Sequence, residues 1–312
     1  MIKYAPRKPL KSQLRRFILN LKFQLHDTDF QNGNMLFFVT GRGKSGTTWM
    51  AELLTTHPSL FCDSAENFGF HQDFQFQHLA DWPEFLFDGV EANITEKTWK
   101  LIKNGLITNL RNKCNKLSAQ KLGDKTPDQD ISRILDLFPK TQVIVMLRDF
   151  RDACVSLAFH GTRLSSSWKG LFDGPEKKYL DNKFLKAVLT YYETKKDFEL
   201  YSRLATEKPD QVLIVRYEEM KSEPLSTLRG VFEFLGVDSR VVHVRKCLEL
   251  NTFQKRAKGR RPGDGDSKSF YRKGIIGDWK NHFSPENIAL FKEISGDTLI
   301  EAGYVHNNQW GL

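Results

Sequence analysis

Uninterrupted apolar runs, each closed by glycine or charge, set the layout of this chain. Met35-Leu36-Phe37-Phe38-Val39 is one such run, Val143-Ile144-Val145-Met146-Leu147 a second, and Val212-Leu213-Ile214-Val215, within the segment Gln211 to Glu218, a third. Runs of this length without polar alternation read as strands buried on both faces, the habit of a parallel sheet. After the first run the period changes. Trp49, Met50, Leu53 and Leu54 recur at helical spacing, which predicts a one-faced helix ending near His57-Pro58. A second helix follows the strand that ends at Leu147. Ser284-Pro285-Glu286 supplies an N-cap, an N1 proline and a first-turn acid for the last one. This alternation predicts an α/β fold: a three-layer sandwich around a central, mostly parallel sheet, with its phosphate-binding loops at the carboxyl edge.

The junction between the first strand and its helix carries the sharpest chemistry. Thr40-Gly41-Arg42-Gly43-Lys44-Ser45-Gly46-Thr47-Thr48-Trp49 is a glycine-rich turn opening onto a helix N-terminus. Such a turn presents successive backbone N–H groups and the positive end of a helix dipole to an anion. Lys44 adds a mobile charge, and Ser45, Thr47 and Thr48 add short hydroxyls. A Walker A loop would need glycine five residues before Gly43, where Phe38 stands. The nucleoside-triphosphatase pattern is therefore broken. At the second junction, Arg148 falls at the carboxyl end of its strand, followed by Asp152, Val155 and Ser156. An arginine fork suits phosphate, while a plain ion pair with Asp152 is the competing role.

Composition narrows the classes. A hydrophobic content of 40% with 24 phenylalanines supports a sizeable core, and no linker-like stretch divides the 312 residues. One domain over 1–312 is expected, with residues 1–30 as a peripheral, basic N-terminal segment. Lys8, Lys11, Arg15, Arg16 and Lys22 in that segment read as a solvated basic helix, and membrane contact is not expected. No apolar run approaches the ~20 residues of a membrane span, and no signal-peptide pattern is seen. The four cysteines form no C-x-x-C pair and the eight histidines show no ligand spacing, so a reducing, cytoplasmic setting without a metal is expected. A net charge of +9 invites a nucleic-acid partner, but no recognised nucleic-acid motif accompanies it.

A third motif, Arg272-Lys273-Gly274-Ile275-Ile276-Gly277-Asp278-Trp279-Lys280-Asn281, lies near the end of the chain. Together the three resemble the cytosolic sulfotransferases, in order and across nearly the whole chain. The loop matches their G-x-x-K-S-G-T-T-W phosphosulfate loop, the second segment their R-x-x-x-D-x-x-V-S motif, and the third their R-K-G-x-x-G-D-W-K-N signature. The resemblance implies 3′-phosphoadenosine 5′-phosphosulfate (PAPS) as donor, leaving as 3′,5′-phosphoadenosine (PAP), without a metal. It implies that Arg42, Gly43, Lys44, Ser45, Gly46, Thr47 and Thr48 hold the 5′-phosphosulfate. Arg148, Ser156, Arg272, Lys273 and Gly274 would then hold the 3′-phosphate. Tyr217, in an Arg-Tyr-Glu triplet, would face the adenine, with Thr252 and Phe253 beside it. Trp49 is either the opposite stacking surface or a core anchor for its helix. The basic loop Arg256 to Gly265 either covers the nucleotide or is simply exposed.

Sulfuryl transfer, like phosphoryl transfer, passes through a loose in-line transition state, so catalysis is mainly positioning and charge stabilisation. Lys44 is placed to stabilise the leaving oxygen, and Lys125 resembles the family's second lysine. The small-molecule enzymes take the acceptor proton with a histidine in a Lys-Thr-His segment; here Lys125-Thr126-Pro127 puts proline there. In that departure the chain resembles the carbohydrate and tyrosylprotein branches of the family, which use a glutamate downstream of the phosphosulfate loop. The resemblance implies Glu66, 22 residues after Lys44, as the base, with His71 next and Asp128 weaker. The acceptor is expected to be a hydroxylated small molecule, with an amine as a variant and a carbohydrate or glycolipid as the alternative. A nucleotide-binding regulator without turnover is the non-enzymatic alternative. Phe68, Phe70, Phe74, Phe76, Trp82, Phe85 and Phe87 either wall the acceptor or form core, and residues 160–180 are expected to act as a lid. The family's short dimer motif is not evident near Leu290 to Tyr304, so the sequence leaves the oligomeric state open.

Overall fold

The structure is a computed structural model and describes residues 10–64, 92–126, 131–164, 172–173, 179–191 and 194–311. Its centre is a five-stranded sheet built from β1 (Leu36–Thr40), β2 (Leu60–Asp63), β3 (Lys121–Lys125), β4 (Gln142–Leu147) and β7 (Val212–Arg216). The order is β2-β3-β1-β4-β7, and every pairing is parallel. A separate antiparallel pair joins β5 (Phe172–Asp173) to β6 (Tyr179–Leu180). The expected mostly parallel sheet is thus wholly parallel in its five central strands.

Helices cover both faces, which is why the strands are apolar without alternation. Leu36 and Phe38 of β1 point to one face and Phe37 and Val39 to the other; Val143 and Val145 of β4 split from Ile144 and Met146 in the same way. The first face packs on α1 (Leu10–Leu25), α2 (Asp27–Asn32), α4 (Ala92–Lys113), α5 (Ile131–Leu137) and α8 (Thr194–Glu207). The second packs on α3 (Thr47–Thr56), α9 (Tyr217–Ser222), α10 (Pro224–Phe234) and α11 (Val241–Leu250). A third cluster joins α6 (Phe150–Leu164) and α7 (Asn182–Tyr191) to α13 (Pro285–Glu301), with Trp279 and Phe283 between them. Short α12 (Phe253–Arg256) precedes the C-terminal motif. The three-layer expectation holds, as does the capped start of the last helix. The Ser284 side chain accepts from Asn287 N–H, while the Asn287 side chain accepts from Ser284 N–H.

Strand β3 had no apolar run to announce it. Lys-Leu-Gly-Asp-Lys is a strand because both edges are paired, Leu122 with Leu36 and Phe61, and Gly123 with Phe37 and Cys62. Its glycine is required: a Cβ at Gly123 would lie 2.3 Å from the Phe37 ring. The register then matters for chemistry. Val39 pairs with Lys125, Thr40 with Val145, and Leu147 with Arg216. Lys125, the glycine-rich loop, Arg148 and Tyr217 therefore leave the sheet at one carboxyl edge, where open α/β sheets bind ligands.

The N-terminal segment is more than a peripheral basic stretch. Leu19 and Phe23 of α1 are buried in the first cluster. Arg16 donates to the carbonyls of Arg111, Asn112 and Cys114 at 3.1, 3.1 and 3.3 Å, satisfying acceptors at the end of α4.

Candidate functional site

A cavity of about 470 Å³ opens at this carboxyl edge. From the first loop it is lined by Gly43, Lys44, Gly46, Thr47, Thr48 and Trp49, and from β3 by Lys125. Helix α6 contributes Ser156 next to Arg148, and the C-terminal motif contributes Arg272, Lys273 and Gly274. Tyr217 and Phe253 complete the lining predicted from sequence. Segments more than 200 residues apart in the chain thus meet in one concavity.

Backbone geometry shapes the first loop. Gly46 is the N-cap of α3 in the left-handed region, φ +99°, and its Cα approaches so close to Tyr217 that a Cβ would lie 2.9 Å from the ring. Lys44 also has positive φ, +73°, without being glycine. That conformation costs about 1 kcal/mol or more, and it sits on the residue assigned to the leaving group. The Lys44 ammonium lies 4.8 Å from the centroid of Phe270, within cation–π range.

Arg148 is held from several sides. It donates to the carbonyls of Lys44 at 3.1 Å and Ile275 at 3.4 Å, and its guanidinium stacks 4.5 Å above the Tyr217 ring. Its contact with Asp152 is long, 3.8 Å. Asp152 instead accepts from the backbone N–H of Gly277 at 2.7 Å and of Trp279 at 2.9 Å. The acid of the second motif therefore anchors the third motif against α6, a role the sequence did not disclose. Burial pushes the Asp152 carboxyl above its ordinary range, against the pull of Arg148 and these N–H donors.

Asp278 is a second organiser. It accepts from Arg272, from Lys273 at 2.7 Å and from Asn281 at 3.0 Å, and lies 3.4 Å from His282. Burial acts to raise its carboxyl. Hydrogen bonds from His282, Lys273 and Arg272 outweigh burial and hold it well below the carboxylate range.

The electrostatics of the cavity are one-sided. Lys44, Lys125, Arg148, Lys221, Arg256, Arg272 and Lys273 line it, and among the described residues no aspartate or glutamate does. Burial and the Arg148 charge push Lys221 down from its ordinary value, the response of an ammonium crowded by other cations. The Nε atoms of Arg148, Arg256 and Arg272 are buried without a hydrogen-bond partner among the described residues. Such donors are costly to bury.

Several expected ligands sit elsewhere. The Arg42 side chain is buried in an ion pair with Asp197, 2.9 Å, and does not line the cavity. Ser45 is buried in the turn, its N–H bonded to the Arg42 carbonyl, and it too is absent from the lining. Thr252 caps α12 through its hydroxyl, 3.4 Å from Lys255 N, and is exposed. Trp49 is a core anchor that also reaches the cavity wall. It packs against the second cluster, lines the cavity 5.8 Å from the Tyr217 ring, and donates from Nε1 to the Asn251 carbonyl at 3.1 Å. Glu66, His71, Asp128, the phenylalanine-rich stretch and Ser165 to Trp168 lie outside the described residues.

The structure adds residues that sequence reasoning passed over. Asn251, Leu157, His160, Phe270 and Tyr271 all line the cavity. Tyr271 donates to Glu52 at 2.5 Å, and Arg256 meets the same carboxylate at 3.1 Å. Burial first, then Glu52, pushes the Tyr271 phenol upward. His160 stands one helical turn beyond Ser156, which was a usable signal. Of the basic loop, Arg256 reaches the lining. Arg260 ties the loop down through the carbonyls of Asp264, Arg272 and Tyr271 at 2.8, 2.9 and 2.6 Å.

A glycine-rich loop, a buried arginine and a basic C-terminal segment converging at the edge of a parallel sheet define an α/β protein that binds a nucleotide phosphate. Residues 36–303 match the sulfotransferase domain family, and the chain belongs to it. It is 44% identical over 89 residues to cytosolic sulfotransferase 4 of Arabidopsis thaliana, a match spanning 28% of this chain and 30% of that relative. It is 26% identical to the luciferin sulfotransferase of Photinus pyralis over 89% of this chain and 75% of that protein. In fold it is similar to mouse sulfotransferase SULT7A1 complexed with PAP, with a TM-score of 0.55, 18% identity, and coverage of 92% and 95% of the two chains.

Proposed function

We propose that this protein transfers a sulfuryl group from PAPS to a hydroxyl group of a small-molecule acceptor in the cytoplasm. The observation that carries this reading is the basic cavity, lined by no acid among the described residues, where Lys44, Arg148 and Arg272 meet although they come from three distant segments. In this reading the cavity-lining residues Gly43, Lys44, Gly46, Thr47 and Thr48 hold the 5′-phosphate. Arg148, Ser156 and the Arg272-Lys273-Gly274 segment hold the 3′-phosphate, and Trp49, Tyr217 and Phe253 receive the adenine. Lys44 stabilises the leaving oxygen, with Lys125 beside it. Glu66 takes the acceptor's proton, and His71 is the next candidate.

Leu157, Phe270 and Ile275 give the cavity an apolar portion, which suits a hydroxyl carried on an apolar scaffold. One relative, the luciferin sulfotransferase of Photinus pyralis, is named for its action on luciferin. The carbohydrate alternative finds no support among these relatives. Purified protein incubated with PAPS and a panel of phenols, alcohols, amines and sugars, with products weighed by mass spectrometry, tests the reading. Sulfated product is expected with hydroxylated apolar acceptors. PAP binding without product from any class would instead identify a nucleotide-binding regulator.

A further inference from the structure

Helix α1 has two apolar faces. One is buried: Leu19 and Phe23 enter the first core cluster. Lys22 fastens that side by donating to the carbonyls of Leu117 at 3.0 Å and Ala119 at 2.6 Å. A surface helix ordinarily turns polar residues to the opposite side. Here Leu14, Phe17, Ile18, Leu21 and Leu25 stand there, 59%, 60%, 45%, 45% and 84% exposed. Helical spacing places these residues on one stripe about 100° wide, directly opposite Leu19 and Phe23. Arg15 borders the stripe on one edge, beside the inward-turned Lys22, and Asn20 and Gln24 border it on the other. The sixteen residues of the helix contain Lys11, Arg15, Arg16 and Lys22 and no acid.

We propose that α1 docks the protein onto an anionic lipid surface, with its outer stripe in the headgroup layer and its basic edge on the lipid phosphates. An apolar stripe with a basic edge on an anchored surface helix is the arrangement of interfacial helices. A net charge of +9 on the chain favours the same approach. A second copy is a poorer cover, because two acid-free helices would bring like charges together. The surface is independent of the cavity chemistry, so its test does not depend on turnover.

Flotation of the full chain with vesicles of phosphatidylcholine alone, or with about one-third phosphatidylserine, reads the proposal directly. Binding is expected to the anionic vesicles, weakened by salt, and not to the neutral ones. Arg15→Gln should lower the partition coefficient about fivefold. Phe17→Asp combined with Leu21→Asp should lower it at least about a hundredfold. Both side chains are exposed, so that variant should keep its melting temperature and its PAP-induced thermal shift. Equal recovery with neutral and anionic vesicles, or undiminished binding of the double variant, overturns the proposal. So does a dimer in light scattering that the double variant converts to monomer, since a second copy would then own the face.

Discussion

Replacing Gly274 by alanine puts a methyl group where the Phe253 ring already lies. The new Cβ would sit 2.3 Å from Cδ2 and 2.5 Å from Cε2 of that ring, at a backbone φ of +65°. The left-handed conformation costs about 1 kcal/mol for a residue with a Cβ, and an overlap of this depth forces a displacement costing about 1–3 kcal/mol. Phe253 is half-buried and lines the cavity, so in the free protein the ring can yield into open space and the loss of stability stays near the first figure. A bound nucleotide closes that escape, and the overlap then appears in the binding constant. About 2 kcal/mol corresponds to a roughly thirtyfold loss of PAP affinity. Gly277→Ala is the matched control, with φ +78° and nothing within 4 Å of its new Cβ. Isothermal titration with PAP and thermal unfolding of both variants separate the terms. The two should lose similar melting temperature, while Gly274→Ala alone loses affinity. Equal PAP affinity in the two variants would refute the claim that Gly274 keeps the Phe253 ring clear of the nucleotide.

The other predictions address chemistry and stability. Lys44→Ala should abolish sulfuryl transfer while PAP still raises the melting temperature; losing both would make Lys44 a binding or folding residue. Glu66→Gln should lower kcat at least about a hundredfold, the usual scale of a general base, and a near-normal rate would pass the role to His71 or to cavity-lining His160. Asp152→Ala leaves the Gly277 and Trp279 N–H groups without their acceptor. It should destabilise the fold by about 2–4 kcal/mol in urea titration and weaken PAP binding. His57 is buried, accepts from Ser59 N–H at Nδ1 at 3.1 Å and donates from Nε2 to the Asp238 carbonyl at 3.0 Å. Burial first lowers its proton affinity, so the unfolded chain takes up a proton that the folded one refuses. Its contribution to stability should be complete above about pH 6.5 and decline as pH falls below it. His57→Leu should flatten the melting-temperature slope between about pH 7.5 and 5.5 relative to wild type.

What could be seen in the chain depended on how far apart the cooperating residues were. The phosphate loop and the segments at Arg148 and Arg272 were legible because each packs its chemistry into about ten consecutive residues. Strands β1, β4 and β7 announced themselves because burial on both faces leaves an unbroken apolar run. Strand β3 did not, because its two lysines, aspartate and glycine make sense only between neighbours that supply the apolar contacts. Arg42 looked like a ligand beside Lys44, yet Asp197, 155 positions away, holds its side chain. Asp152 looked like a partner for Arg148, yet the fold turned it toward the Gly277 and Trp279 backbone. The N-terminal helix looked basic and solvated because its charges were counted without knowing which face would be buried. Family, donor and the fold's layers were thus properties of the sequence, carried by local motifs and by hydrophobic period. Only the tertiary structure decided which cations line the cavity and which bind inside the protein, because long-range packing assigns each side chain its partner.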